Sequence, residues 1–408
     1  MKILMVANFF PRFGETFILE QANALVERGH ELTILVLIGQ DPGAYDERSI
    51  RNGLPDRVID ATSFGKPLSG RIPETIRGVL KALLRHPRAL APLRYGKRSY
   101  RGQMAAAVDV LGRLGRFDAI FAAFGPAGVS AEALRDVGLI DGPIVTSFLG
   151  YDISREIMLH GPAVYRRLFQ NGELFQPNSN FLRARMLENG APEDRTVLHR
   201  LGVDIDVFPY VDRDGHAGPP RIVAVGRFVE KKGFTDLIDA AALLRDGGVA
   251  FRLEIAGDGP LDGSFKEQVK RLELEDLVHF PGWCDSNAVS HLLRSADLMA
   301  VPSVTARDGD TEGLPLTLVE AASTGLALVG TDHSGIPEIL IDGETGLIVP
   351  ERDPDALAGA MKTLCEDRER RIAMGRAGRA LVERAYNADL QAESLIEELA
   401  RQNRHYYT

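Results

Sequence analysis

Short unbroken runs of Val, Ile, Leu and Ala recur along this chain. They are separated by stretches in which apolar residues return every three or four positions. The first pattern suits a strand buried on both faces and the second a helix packed on one side, so their alternation predicts a parallel α/β fold. Lys2–Ala7 predicts the first strand. A glycine-bearing turn near Gly14 follows, then a helix from Glu15 to Arg28, closed by Gly29-His30, and a second strand at Glu31–Ile38. Ala119–Ala123 and Ile144–Phe148 predict two more strands. The stretch from Gln176 to Leu201 reads as a strand, a helix opened by Asn178–Asn180 and another short strand.

The pattern then restarts. Val203–Pro220 is polar and broken by three prolines, the composition of a linker. After it, Arg221–Gly226 predicts a buried strand, Gly233–Asp246 a helix, and Phe251–Ala256, Val278–Phe280, Leu298–Val301 and Ala327–Thr331 further strands. The expected organisation is a first doubly wound domain at 1–202, a linker at 203–220, a second at 221–387 and a terminal helix at 388–408. Two such domains facing each other would leave a cleft at the carboxyl ends of their strands. The last helix has Leu390, Leu395, Ile396 and Leu399 at helical spacing and is expected to return to the first domain.

A chain of 408 residues favours more than one domain. A net charge of −9 argues against a general nucleic-acid binder. Cys284 and Cys365 lack metal-type spacing, so a reducing, cytoplasmic setting is expected. The opening MKILMVANFFPRFGE reads as a strand and turn, not a secretory signal, and no run is long enough to span a bilayer. Charge is uneven, however. Arg71–Arg101 holds nine Lys or Arg against one acid, Glu74, with Ile76, Val79, Leu80, Leu83 and Leu84 interleaved. Two readings stand: a basic helix lying on an anionic membrane, or a helix with one core-facing stripe and a solvated basic face.

The chemistry concentrates in PSVTARDGDTEGLPLTLVE, residues 302–320. The polar first half predicts a loop and the apolar second half a helix, with Pro315 at its first position. Glu312 then sits before the helix and Glu320 about one turn inside it, with free backbone N–H groups of the helix start between them. Two carboxylates for hydroxyls around a phosphate cradle describe a nucleotide-sugar site. VGRFVEKKG, residues 225–233, adds Gly226 at a tight turn, Arg227 as a fork for phosphate oxygens and Lys232 as a point charge.

These segments, with AGDGP, FPGW, ADLMAVPS and HSGIPEILIDGETGLIVPERD, resemble glycosyltransferase family 4, the group 1 retaining enzymes. FFPRFGETFILEQANALVERGH and FGPAGV resemble its colanic-acid and exopolysaccharide branch, so the likeness runs the length of the chain. The resemblance implies a GT-B fold of two facing Rossmann-like domains and a nucleotide-sugar donor, UDP-linked by expectation. It also implies a lipid-linked or glycan acceptor, retention at the anomeric carbon and no obligatory metal or other cofactor. It assigns Glu312, Arg227 and Lys232 to catalysis, with Glu312 on the donor sugar. Glu320 is assigned to the ribose, Gly14, Leu314, Pro315 and Leu316 to the donor phosphates, and Gly282, Trp283 and Cys284 to the base, with Gly226 at the tight turn counted among the donor-binding residues. The expected setting is the cytoplasm, with the basic Arg71–Arg101 segment able to hold the chain on the inner face of the membrane.

Relatives carry His-Gly-Tyr-Asp where this chain has Leu149, Gly150, Tyr151 and Asp152. In the family that His lies by the sixth carbon of the donor sugar, and leucine offers no hydrogen bond. The donor then lacks an ordinary C6 hydroxyl, or a neighbour such as Tyr151 or Asp152 substitutes, or the protein is silent. The last option is the alternative of a non-catalytic partner in a polysaccharide assembly complex. His333 either approaches the donor from its loop or is a plain turn residue.

Overall fold

The computed structural model describes residues 1–62, 72–90, 103–112, 114–213 and 218–408. The chain divides into two compact units. One comprises Met1–Pro177, Arg183–His199 and Ala392–Thr408, the other Asn178–Leu182 and Arg200–Gln391.

The first unit is built on β1 (Lys2–Phe9), β2 (Glu31–Gly39), β3 (Val58–Asp60), β4 (Gly115–Arg116), β5 (Ala119–Ala122), β6 (Ile140–Asp141), β7 (Ile144–Phe148) and β8 (Leu174–Pro177). Six of these form one parallel sheet in the order β3-β2-β1-β5-β7-β8, and β4 pairs with β6. Alternate residues face opposite layers. Ile3, Met5, Phe121, Val145 and Leu174 pack with Ile18, Leu19 and Leu25 of the helix Thr16–Glu27 and with Leu395 and Leu399 of the terminal helix. On the opposite side, the rings of Phe148, Tyr165, Phe169 and Phe175 contact one another at 5.1–6.4 Å between centroids.

The second unit repeats the plan with β9 (Arg221–Val225), β10 (Arg252–Ala256), β11 (Val278–Gly282), β12 (Leu298–Val301), β13 (Ala327–Thr331) and β14 (Gly346–Val349). Their order is β11-β10-β9-β12-β13-β14, all pairings parallel. Counted along the chain, both main sheets run 3-2-1-4-5-6, the order of a Rossmann sheet. Ile222, Ala224, Leu253 and Leu298 face the helices Phe234–Asp246 and Pro354–Glu366. Val223, Met299 and Leu328 face Leu316–Ser323 and Arg368–Ala385. Two Rossmann-like units in one chain are the GT-B architecture.

Three expectations need correction. Residues 203–213 are not a linker, because they pack into the second unit. The Val203 N–H donates to the Tyr386 carbonyl at 2.8 Å, Phe208 is buried, and the Arg213 guanidinium donates to the carbonyls of Ala296, Leu293 and Thr324. Residues 214–217 of the same segment lie outside the described residues. Pro315 is extended at φ −63°, ψ 118° and caps the helix Leu316–Ser323 instead of opening it. The basic stretch departs from its core-facing reading. In the helix Ile72–Arg85 the buried residues are Gly78 and Ala82, while Ile72, Ile76, Leu80, Leu83 and Leu84 are exposed. Arg77 and Lys81 share the carboxylate of Asp109, at 2.8 and 2.6 Å. Residues 71 and 91–101 of the basic stretch lie outside the described residues.

Candidate active site

The strand order of the second unit reverses between β9 and β12. In an open parallel sheet, ligands bind outside the carboxyl ends of the strands at that point. Residues 226–233 leave β9 there, and residues 302–315 leave β12. Glycine lets the two loops close on each other. A Cβ at Gly233, whose φ is +65°, would sit 1.8 Å from the Pro302 carbonyl oxygen. At Gly226 a Cβ would meet Lys232 Cε at 2.9 Å, so the lysine stem lies across the bare backbone.

The two lysines divide the work. Buried Lys231 donates to Asp310 Oδ1 and to the Thr311 carbonyl, both at 3.2 Å, and its own carbonyl accepts from the Val304 N–H at 2.8 Å. It pins the loop after β12. Lys232 Nζ lies 3.0 Å from Glu312 Oε1, an ion pair between two largely buried side chains. Ser303 Oγ and Thr311 Oγ1, on the same loop, are buried without a partner among the described residues. Buried polar atoms are rarely left so, and these two hydroxyls are available to a polar ligand or water.

The two glutamates are both buried, at 7% and 8% exposure, yet their environments push them apart. Burial would raise the Glu312 carboxyl, but Lys232 and Lys231 outweigh it and hold it at about 2. Glu320, in the helix Leu316–Ser323, has no such counter-charge among the described residues, and burial pushes it up to about 7. At neutral pH one is a fixed anion and the other is poised between acid and carboxylate. Carboxylates separated in this way are suited to different tasks.

A family model described as Glycosyl transferases group 1 matches residues 212–381. Along 98% of this chain and all of its own length, the putative colanic acid biosynthesis glycosyltransferase WcaL of Escherichia coli K12 is 35% identical. The chain belongs to the group 1 glycosyltransferases. The amylovoran biosynthesis glycosyltransferase AmsK of Erwinia amylovora is 32% identical, over 98% of this chain and 100% of its own. Among solved structures, Anabaena Alr3699/HepE in complex with UDP superposes with a TM-score of 0.70 over 98% of this chain and 100% of its own, at 19% identity. That likeness concerns the fold.

The remaining expected residues of this glycosyltransferase fall into two groups. Arg227, exposed, follows β9; Gly282 (φ +85°), exposed Trp283 and half-buried Cys284 lie at the end of β11; Leu314, Pro315 and Leu316 precede or open the helix holding Glu320. All of these lie in the second unit. Gly14 and Leu149–Asp152 lie in the first. Gly14 is exposed at φ +78° in the turn after β1. The Asp152 carboxylate is occupied: Oδ1 accepts from the N–H groups of Leu149 (3.1 Å) and Gly150 (2.9 Å), and Oδ2 from that of Gly125 (3.1 Å). It ties the strand end to the start of the helix Gly125–Val137, and burial raises it to about 6. Tyr151 packs on Phe124 at 5.3 Å between rings.

Sequence reasoning missed the supports. Lys231 and Asp310 lie within VGRFVEKKG and PSVTARDGDTEGLPLTLVE, but nothing in their spacing says which lysine takes the loop. Glu351, which contacts His333 and Thr305, stands in the recognised stretch after β14 without any signal of its own. None of the described helices is long and apolar enough to cross a membrane.

Proposed function

We propose that this chain is a retaining glycosyltransferase that moves a sugar from a UDP-sugar to a lipid-linked polysaccharide or glycolipid, without a metal. The observation that carries the reading is the buried anion Glu312, charge-paired with Lys232 and flanked by the Ser303 and Thr311 hydroxyls, which have no partner among the described residues, at the point where the sheet order reverses. Glu312 would take the sugar hydroxyls. Arg227, Lys232 and the N–H groups at 314–316 would hold the diphosphate and stabilise charge as it leaves. Glu320 would accept from the ribose, and the base would stack or bond near Gly282–Cys284. Positive side chains thus supply the charge that a metal supplies elsewhere. The acceptor would attack on the leaving-group face, its proton passing to the diphosphate. HepE, which shares the fold, binds UDP, and WcaL and AmsK bear the names of exopolysaccharide enzymes.

The test is Glu312→Ala, assayed after a thermal-shift screen of UDP- and GDP-sugars has found a donor. Transfer is lost, the fold is kept, and wild-type transfer persists in EDTA. Full activity of Glu312→Ala refutes the assignment. A second reading, a non-catalytic partner, draws on Leu149, which offers no hydrogen bond where the family resemblance implies a His. UDP binding with no turnover across donors and acceptors would favour it.

The same proposal puts the acceptor at a membrane surface. The stripe Ile72, Ile76, Leu80, Leu83 and Leu84 faces outward, with Leu84 87% exposed, beside Arg77, Lys81, Arg85 and Arg88. An apolar face bordered by cations suits anionic lipid. Vesicles with anionic lipid should bind the wild type more than neutral ones, and Leu80→Ser with Leu84→Ser should lose most of that binding. Equal binding to both vesicle types removes the claim.

A further inference from the structure

We infer that Glu351 and His333 form a positioning pair that sets the main chain of Glu312, an inference resting on Glu312 belonging to the donor site. His333 follows β13 and is 2% exposed. Its Nε2 lies 3.2 Å from the backbone nitrogen of Glu312. That N–H can only donate, so Nε2 is the bare nitrogen and the ring proton sits on Nδ1. Nδ1 lies 2.5 Å from Glu351 Oε1, which accepts the proton's hydrogen bond. The Ser334 hydroxyl, 3.1 Å from Nε2, has the same bare nitrogen to donate to.

Glu351 uses its second oxygen on the other end of the same loop. Oε2 accepts from the Thr305 N–H at 2.8 Å, and the neighbouring Arg352 guanidinium donates to the Thr305 carbonyl at 2.6 Å. One carboxylate therefore holds the loop after β12 twice: at Thr305 directly and at Glu312 through the imidazole. The backbone pays for this placement. Ser334 and Arg352, the residues immediately after His333 and Glu351, lie at φ +51° and +57°. Residues with a Cβ adopt that region only where the surroundings impose it.

A generic ion pair would need only opposite charges. This arrangement needs a neutral imidazole in one tautomer. An imidazolium would set a second N–H against the N–H of Glu312, and so would the other tautomer. The effect on Glu312 is indirect: its carboxylate faces Lys232, while its backbone is fixed from behind by His333 and by the Gly335 N–H, which donates to the Gly313 carbonyl at 2.9 Å. Glu351 and His333 are positioning residues and touch no substrate in this account.

The experiment uses the full chain without donor. In 15N-histidine-labelled protein at neutral pH, with His333→Gln supplying the assignment, His333 should show a bare Nε2 and a protonated Nδ1. Glu351→Gln keeps the size but offers one acceptor and one donor where two acceptors are needed. It should change that tautomer signature and speed amide exchange in residues 303–315 by about tenfold, the loss expected for one hydrogen bond, with the first unit unchanged. A wild-type spectrum with Nε2 protonated overturns the inference, and that reading needs no variant to fold. So does Glu351→Gln with unaltered signature and exchange. Neither readout uses a nucleotide sugar, so a wrong donor leaves it standing. With a donor in hand, Glu351→Gln should lower kcat by about tenfold or more, as small misplacements do, with UDP affinity kept.

Discussion

Replacing Glu320 with glutamine tests whether this carboxyl is poised as its surroundings require. Burial lifts it from its ordinary 4.5 to about 7, and no charged group among the described residues offsets that. At about 1.4 kcal/mol per pH unit, ionising it inside the fold costs about 3 kcal/mol. Because the folded value is raised, the stabilising contribution is complete below 4.5 and is lost as pH rises through 7. Of that loss, about 2–3 kcal/mol falls between pH 5 and pH 8. Glu312 does not disturb this window. Its carboxyl is depressed to about 2, so its contribution is present above 4.5 and lost only in strong acid. Glutamine copies the neutral acid and cannot ionise. Glu320→Gln should therefore match the wild type near pH 5 and exceed it by about 2 kcal/mol at pH 8, a urea midpoint difference of about 1 M for a slope near 2 kcal/mol per M. The single tryptophan, Trp283, lies in the same unit and reports the transition by fluorescence. Midpoints that move in parallel from pH 5 to pH 8 would refute the reasoning.

Two further outcomes follow from the same electrostatics and hydrogen bonds. Lys232→Met strands the buried Glu312 anion and should cost about 3–5 kcal/mol, most of it restored by adding Glu312→Gln, although transfer stays lost in the double variant; equal stability of the two variants would argue against the pair. Asp152→Ala leaves the Gly125, Leu149 and Gly150 N–H groups without their acceptor and should cost the first unit about 3 kcal/mol or more, read by thermal unfolding.

The sequence exposes most of the strands because parallel strands covered on both faces are apolar without interruption, as in β1 and β12. It exposes Glu312, Glu320, Arg227 and Lys232 because each stands next to a strand end or helix start that can be recognised locally. What it hides is contact across the sheet. His333 and Glu351 are 18 positions apart and meet only because β13 and β14 lie side by side. β14 itself, GLIV, is four residues long and opens on glycine, too short for a periodic signal. Composition misleads at 203–213, where proline and polar residues suggest solvent while the half-buried Arg213 guanidinium donates to four carbonyls, those of Val211, Leu293, Ala296 and Thr324. Asp152 misleads in another way, because a carboxylate within a binding motif is spent on backbone N–H groups. The stripe at 72–84 shows the limit of periodicity: it defines an apolar face but not whether that face turns inward.

The central claim is that the β9 and β12 strand ends bind a nucleotide diphosphate. Isothermal titration of UDP and GDP into the wild type, Arg227→Ala and Glu320→Ala measures this without knowing the sugar or acceptor. The account predicts that UDP binds the wild type and that each variant weakens it by about tenfold or more, the worth of a hydrogen bond to a charged group. If neither nucleotide binds the wild type, or if both variants bind UDP as tightly as it does, the assignment of this site is wrong.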